Sequence, residues 1–130
     1  MADITRTGTP SLASRTPPQT AVINTMAGEA LLAGDICYLG TAGTAFKSNG
    51  TAANAAAKVR GICFHDAALG EAVSLYHDVA VRYGAGMVIG TNIFASGAAG
   101  NISDIATIGG TGAIGFVESA TVIRVTFSTY

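Results

Sequence analysis

Two His-Asp pairs, His65-Asp66 and His77-Asp78, are the residues in this chain best suited to chemistry. Histidine and aspartate are common metal ligands, so two such pairs could converge on one ion. Adjacent residues on a strand point to opposite faces, so each pair must sit in a turn to offer both side chains. His65-Asp66 follows an apolar run ending at Phe64 and fits a turn, whereas His77-Asp78 does so only if the surrounding segment bends. The competing use is plainer. Turn aspartates bond local backbone, and a strand histidine is packed or solvated. On balance no metal or other cofactor is expected.

A serine or cysteine nucleophile needs a histidine base and an orienting acid. Ser74, Ser96, Ser103 and Cys63 are present, but none lies in a Gly-x-Ser-x-Gly elbow. Gly84, Gly86 and Gly90 approximate a dinucleotide loop whose last glycine comes one residue late. That fingerprint works only where a helix follows to hold a pyrophosphate. Thr91-Asn92-Ile93 is poor helix material, and no βαβ pattern occurs. The eight acids are dispersed rather than paired. The chain does not read as an enzyme. Cys37 and Cys63, the only cysteines, each lie beside apolar residues in a strand-like run. They read as two buried reduced thiols; a disulfide is the alternative, which a cytoplasmic setting does not suggest.

The element that positions His77, Asp78 and Ser74 is Glu71–Gly86. Val73, Leu75, Val79, Val81 and Tyr83 occupy odd positions, and Ser74, Asp78 and Arg82 even ones. A period of two marks a half-buried strand. His77 interrupts the apolar face, so the segment is one long strand or two short ones with a bend at His77-Asp78. Gly84-Ala85-Gly86 stops it.

Around this segment the chain reads as short strands separated by glycines. Ala30–Leu32, Ile36–Leu39, Thr44–Lys47, Val59–Phe64, Met87–Ile89, Asn92–Phe94, Ala113–Val117 and Val122–Phe127 are the further strand candidates. Ser48-Asn49-Gly50 and Glu118-Ser119-Ala120 are the clearest turns between them. Thr51–Lys58, rich in alanine, is the one helical stretch, and it is too short to stand alone. Residues 1–26 differ: a Thr/Ser/Pro-rich segment with little to bury, expected to be an extended, mobile arm. Stretched out, it would reach on the order of 85–95 Å. The expected organisation is therefore an arm over 1–26 and a β-rich domain over 27–130. The expected fold is mainly β, a small β-barrel or sandwich with one short helix.

Composition narrows the function. Only 12% of the 130 residues are charged, about half the usual share. The chain carries 17 glycines and no tryptophan. So little charge covers a lone monomer poorly, and oligomerisation would hide the excess apolar surface. Tyr83 to Ser103 contains no charged residue, yet five glycines and two asparagines break it up, well short of the ~20 apolar residues of a spanning helix. Residues 1–19 lack the apolar core of a signal peptide, so the expectation is synthesis in a cytoplasm and no membrane. A net charge of −1 with scattered basic residues gives no case for nucleic acid.

An ordered series of segments carries a resemblance. It comprises Ala30–Asp35, Lys47–Gly61, Gly70–His77, Arg82–Gly86 and Ile114–Val117. Together, from about Ala27 to Tyr130, they resemble the capsid decoration (cement) proteins of tailed bacteriophages. The resemblance implies a small β-rich virion protein, commonly a homotrimer. Such a protein sits on the outer capsid surface, binds the major capsid protein, holds neighbouring capsomers together and has no enzymatic role. On that reading Arg6, Arg15, Pro17 and Pro18 are the candidate capsid contacts of the arm. Tyr76, Arg82, Tyr83 and Tyr130 are the candidate subunit contacts. A second reading is a carbohydrate- or receptor-binding β-module at the base of a head fibre, which would need a groove lined by exposed aromatic side chains.

Overall fold

In the computed structural model, the Glu71–Gly86 segment resolves into two strands that belong to different sheets. The structure describes residues 3–13, 21–52, 55–107 and 112–126. In chain order the strands are β1 (Ser11–Leu12), β2 (Ala21–Met26), β3 (Ile36–Leu39), β4 (Ala45–Lys47), β5 (Gly61–Ile62), β6 (Ala72–His77), β7 (Val79–Arg82), β8 (Asn92–Ala95), β9 (Ile102–Ser103), β10 (Gly115–Val117) and β11 (Val122–Val125). One sheet has the order β1-β7-β11-β10-β8-β9, the other β2-β6-β5-β3-β4, and every strand pairing is antiparallel. The sheets are not closed into a barrel and form a sandwich.

Asp78 makes the switch between the sheets. Its φ is 58°, the left-handed region, and it is the only non-glycine with positive φ among the described residues. Aspartate tolerates this conformation better than most side chains do. The reversal changes which face later side chains take: Val73 and Leu75 point into one apolar cluster, Val79 and Val81 into another. A strand that changes sheet through a bend is how two layers share a corner.

The main core lies between the sheets. Ile36 and Ile62 from the five-stranded sheet meet Val79, Val81, Ile93, Val117, Ile123 and Val125 from the six-stranded one. The second cluster, on the other side of the five-stranded sheet, holds Cys37, Cys63, Val73 and Leu75 under Ala27, Leu31 and Ala67. Here the residue after β2 folds back to β4: Ala27 makes a parallel bridge to Ala45, and the Gly28 amide donates to the Ala45 carbonyl at 2.8 Å. Gly28 and Gly40 are both covered by the Phe46 ring, which leaves no room for a Cβ at either position.

The N-terminal segment is extended but belongs to the sandwich. Asp3 bridges Ser103 and the Ile4 amide donates to the Ile102 carbonyl at 2.9 Å, which covers the β9 edge. The Thr7 amide donates to the Tyr83 carbonyl at 2.8 Å, and β1 pairs with β7 at the opposite edge. Residues 21–26, assigned by sequence to the arm, are β2, paired along its whole length with β6. Composition alone does not show this, because these stretches are held mainly by backbone ladders, with Val22 and Met26 of β2 exposed. Residues 14–20 lie outside the described part.

Two local expectations also change. Thr51–Lys58 contributes only a 3₁₀ turn at Ala55–Ala57, residues 53–54 lying outside the described part. Asn49 closes the loop instead: its amide donates to the Ala56 carbonyl at 2.7 Å, and its side-chain oxygen accepts from the Thr51 amide at 2.9 Å. Met87–Ile89 is not a strand but a turn between β7 and β8. Gly86 and Gly90 on either side both have positive φ, and the Thr91 amide donates back to the Val88 carbonyl.

Candidate functional site

The residues with chemical potential are each occupied locally. His65 Nδ1 lies 3.1 Å from the Asp66 carbonyl oxygen, and the Asp66 carboxylate accepts from the Ala33 amide at 2.9 Å. His77 Nδ1 lies 3.1 Å from Asp78 Oδ2, beside the bend. Among the described residues no three His, Cys, Asp or Glu side chains converge as metal ligands would. Ser74 donates to Asn24 at 2.9 Å, Ser96 to Asp3 at 2.5 Å, and Ser103 to the Ile105 carbonyl at 3.0 Å. None of these partners is a histidine, the base that the expected serine nucleophile would need.

The densest polar cluster is built on Arg6. Its guanidinium donates to Asp35 Oδ1 at 2.8 Å, to the Gly100 and Ala33 carbonyls at 3.0 and 3.2 Å, to Asn101 Oδ1 at 3.3 Å and to the Tyr83 hydroxyl at 3.2 Å. Asp35, whose side chain is 4% exposed, also accepts from the Leu32 amide at 2.9 Å and faces Lys47 Nζ at 3.8 Å. Burial works against the Arg6 charge, but the oxygens of Tyr83 and Asp35 outweigh it and hold its pKa above the usual arginine value. Burial likewise pushes the Tyr83 phenol up, with Arg6 opposing. The N-terminal strap (residues 3–13), the six-stranded sheet and the loop over residues 31–35 meet here. The cluster is a clasp.

The candidate surface residues separate clearly. Arg6 turns its polar atoms inward. Tyr83 is 1% exposed and belongs to the core, so it offers nothing to a second subunit in this conformation. Its odd-position phase with Val79 and Val81 already placed it on the buried face. Tyr76 is half-buried, its ring 5.0 Å from that of Phe64. Arg82 is exposed on β7, in register with Ser11 and Val122. Arg15, Pro17, Pro18 and Tyr130 lie outside the described residues.

A feature that none of the candidate residues covers is an apolar turn tip. Val88 and Ile89, at the tip of the β7–β8 turn, are 73% and 71% exposed, and Ile105 after β9 is also exposed. Beside them opens a cleft of about 160 Å³ lined by Ile4, Gly86, Met87, Val88, Thr91, Asp104 and Val117. The signal was present as the uncharged run Tyr83 to Ser103, which supplies the tip and most of that wall. Elsewhere Leu69, Met26, Leu32, Val22 and Phe116 stand exposed. Scattered exposed aliphatics are ordinary; Val88 and Ile89 differ in being adjacent, at a turn apex beside this cleft.

Comparison with known proteins gives no match, either to a family model or to a curated sequence.

Proposed function

We propose that this protein is a structural virion component that binds the outer surface of a phage capsid as a homotrimer and cements neighbouring capsomers. The observation that carries the reading is the exposed apolar tip at Val88 and Ile89, beside the cleft, on a sandwich with little charge. It joins the sequence resemblance to decoration proteins, and the polar residues weighed for catalysis are all taken up by local bonds.

The mechanism is additive. A small apolar footprint binds weakly on its own, but three linked copies make the later contacts effectively intramolecular. A protein that binds only the assembled shell stabilises that state by mass action. The footprint in this proposal is the Val88–Ile89 tip rather than Arg6, whose guanidinium is engaged in the clasp. The carbohydrate-binding alternative has less support: its best aromatic pair, Tyr38 and Phe46, stacks with ring centroids 5.6 Å apart, and Phe46 covers two glycines instead of facing an open groove.

The test is direct imaging of intact particles together with mass measurement of the purified protein in solution. Density for the protein on the outer shell and a trimer at micromolar concentration are expected. Absence from the shell, or location in the tail, would overturn the reading.

A further inference from the structure

Cys37 and Cys63 are brought together by the register of two strands. Cys37 on β3 stands opposite Gly61, Ile36 stands opposite Ile62, and the Cys63 amide donates to the Asp35 carbonyl at 3.1 Å. The two cysteines are therefore diagonal neighbours across the β3–β5 pair. Alternation gives them the same face: Ile36 and Ile62 enter the core between the sheets, while both cysteines enter the second cluster. Diagonal side chains on one face are neighbours, and each of these thiols shifts the other's pKa. A diagonal pair stands at the outer limit of disulfide reach, so bridging it needs a small shift of the two strands. Cys63 Sγ also donates to the Leu32 carbonyl at 3.1 Å, and Cys37 Sγ lies 3.6 Å from the Asp35 carbonyl oxygen.

We propose that Cys37 and Cys63 form a cross-strand dithiol that closes to an intramolecular disulfide on reaction with a small-molecule disulfide, clamping β3 to β5. The thiolate of Cys63 attacks one sulfur of the oxidant, forming a mixed disulfide and expelling the first small thiolate. Cys37, after losing its proton, attacks Cys63 Sγ and expels the second. One protein S–S bond forms, the oxidant's S–S bond breaks, and the two thiol protons end on the two released thiols. The direction of attack follows from position: Cys63 lies past the end of β5, under the Leu32 carbonyl of the covering loop, whereas Cys37 is inside β3. In the same sense, neighbouring Cys63 and burial push the Cys37 thiol up, and Cys37 draws Cys63 down.

Both cysteines are fully buried, so buried-thiol inertness must first be relieved. The gate is the loop over residues 31–35, whose Leu32 carbonyl holds Cys63, whose Leu31 is bridged to Ala67 and whose Ala33 and Asp35 the Arg6 clasp grips, so it opens only as the clasp releases. Opening it exposes Cys63 without unpairing β6. A protein made in a reducing cytoplasm and used outside it, as the proposed function requires, folds with free thiols and meets oxidising conditions later. The chemistry itself does not depend on that function.

The full chain is incubated with oxidised glutathione, with and without low urea, and in parallel is refolded in a glutathione redox buffer. Intact mass is expected to fall by two hydrogens, with one peptide linking Cys37 to Cys63. The unfolding midpoint should rise by more than about 1 M urea, reversibly on reduction. The single variant Cys37→Ser should stop at a glutathione adduct on Cys63, and the double variant C37S/C63S should be insensitive to oxidant. Two free thiols after oxidative refolding, stable adducts in the unsubstituted chain, or disulfide-linked dimers would each overturn the proposal.

Discussion

Replacing Arg6 with alanine removes the clasp while leaving its partners in place, and its cost can be worked from the geometry. Asp35 loses its 2.8 Å ion pair but keeps the Leu32 amide and a distant Lys47. The Gly100 and Ala33 carbonyls, Asn101 and the Tyr83 hydroxyl each lose a donor. Breaking a buried pair by removing one member costs about 3–5 kcal/mol. The Arg6 side chain is 21% exposed and Asp35 retains partners, so about 2–4 kcal/mol is expected. At a few degrees per kcal/mol for a domain of this size, Tm should fall by roughly 10 °C. Asp35→Asn should cost less, because the Arg6 charge it leaves behind reaches water. The double variant should show a coupling of at least about 1 kcal/mol. Urea denaturation of the four proteins measures this, and tryptic cleavage after Arg6 reports the same clasp, being slow in the native chain and fast in D35N. A loss below about 0.5 kcal/mol in R6A, or strict additivity of the two substitutions, would refute the claim that the clasp holds the strap.

Three further outcomes follow from single positions. Asp78→Gly removes a left-handed side-chain strain of about 1 kcal/mol against a larger unfolded-state entropy, so stability should be unchanged or rise by up to about 0.5 kcal/mol, whereas Asp78→Val should lose at least about 1 kcal/mol; urea midpoints check both. A Cβ on Gly115 would lie 1.8 Å from the Arg124 carbonyl oxygen, a backbone atom that cannot step aside, so Gly115→Ala should cost more than about 3 kcal/mol or yield insoluble protein. The double variant V88D/I89D changes two exposed side chains, so folding stability should stay within about 1 kcal/mol, while co-sedimentation with shells, and with it the proposed footprint, should be lost.

The sheet structure was legible wherever alternation was strong. β3 lies at Ile36–Leu39 as the pattern requires, β4 and β8 differ from expectation by a residue, and the bend at His77-Asp78 sits where His77 breaks the apolar face. The failures share a cause. Strap residues 3–13 carry few large apolar side chains, and in β2 Val22 and Met26 stand exposed while Asn24 shares their face, so periodicity was silent about backbone pairing that only the partner strands reveal. Alanine content suggested a helix at Thr51–Lys58, but the Asn49 bonds capture the segment in a short loop. For the surface, residue type alone ranked Arg6 and Tyr83 as contacts. The three-dimensional fact that they bind each other, 77 positions apart in sequence, removes Tyr83 and turns Arg6 inward. The uncharged run Tyr83 to Ser103 carried the better signal, but without a turn assignment nothing put Val88 and Ile89 at its apex.

The sheet switch at Asp78 ties the two layers of this small sandwich together. Because β6 and β7 are one continuous segment, the two sheets cannot slide apart without breaking the ladder to β2 or to β11. The strap adds a second tie between layers, since Arg6 leaves the six-stranded sheet's edge to grip Asp35 at the head of β3. Ile4, on the same strap, lines the cleft under Val88 and packs against the main core. The apolar tip is therefore held from two sides: by the hydrogen bonds of Met87 and Gly90 to Ala120 and Val117, and by the strap beneath it. Releasing the clasp should loosen the cleft floor before it unfolds the sandwich. On this geometry R6A, assayed below its melting temperature, should bind shells more weakly than its folded fraction accounts for; binding in proportion to that fraction would show the tip to be independent of the strap.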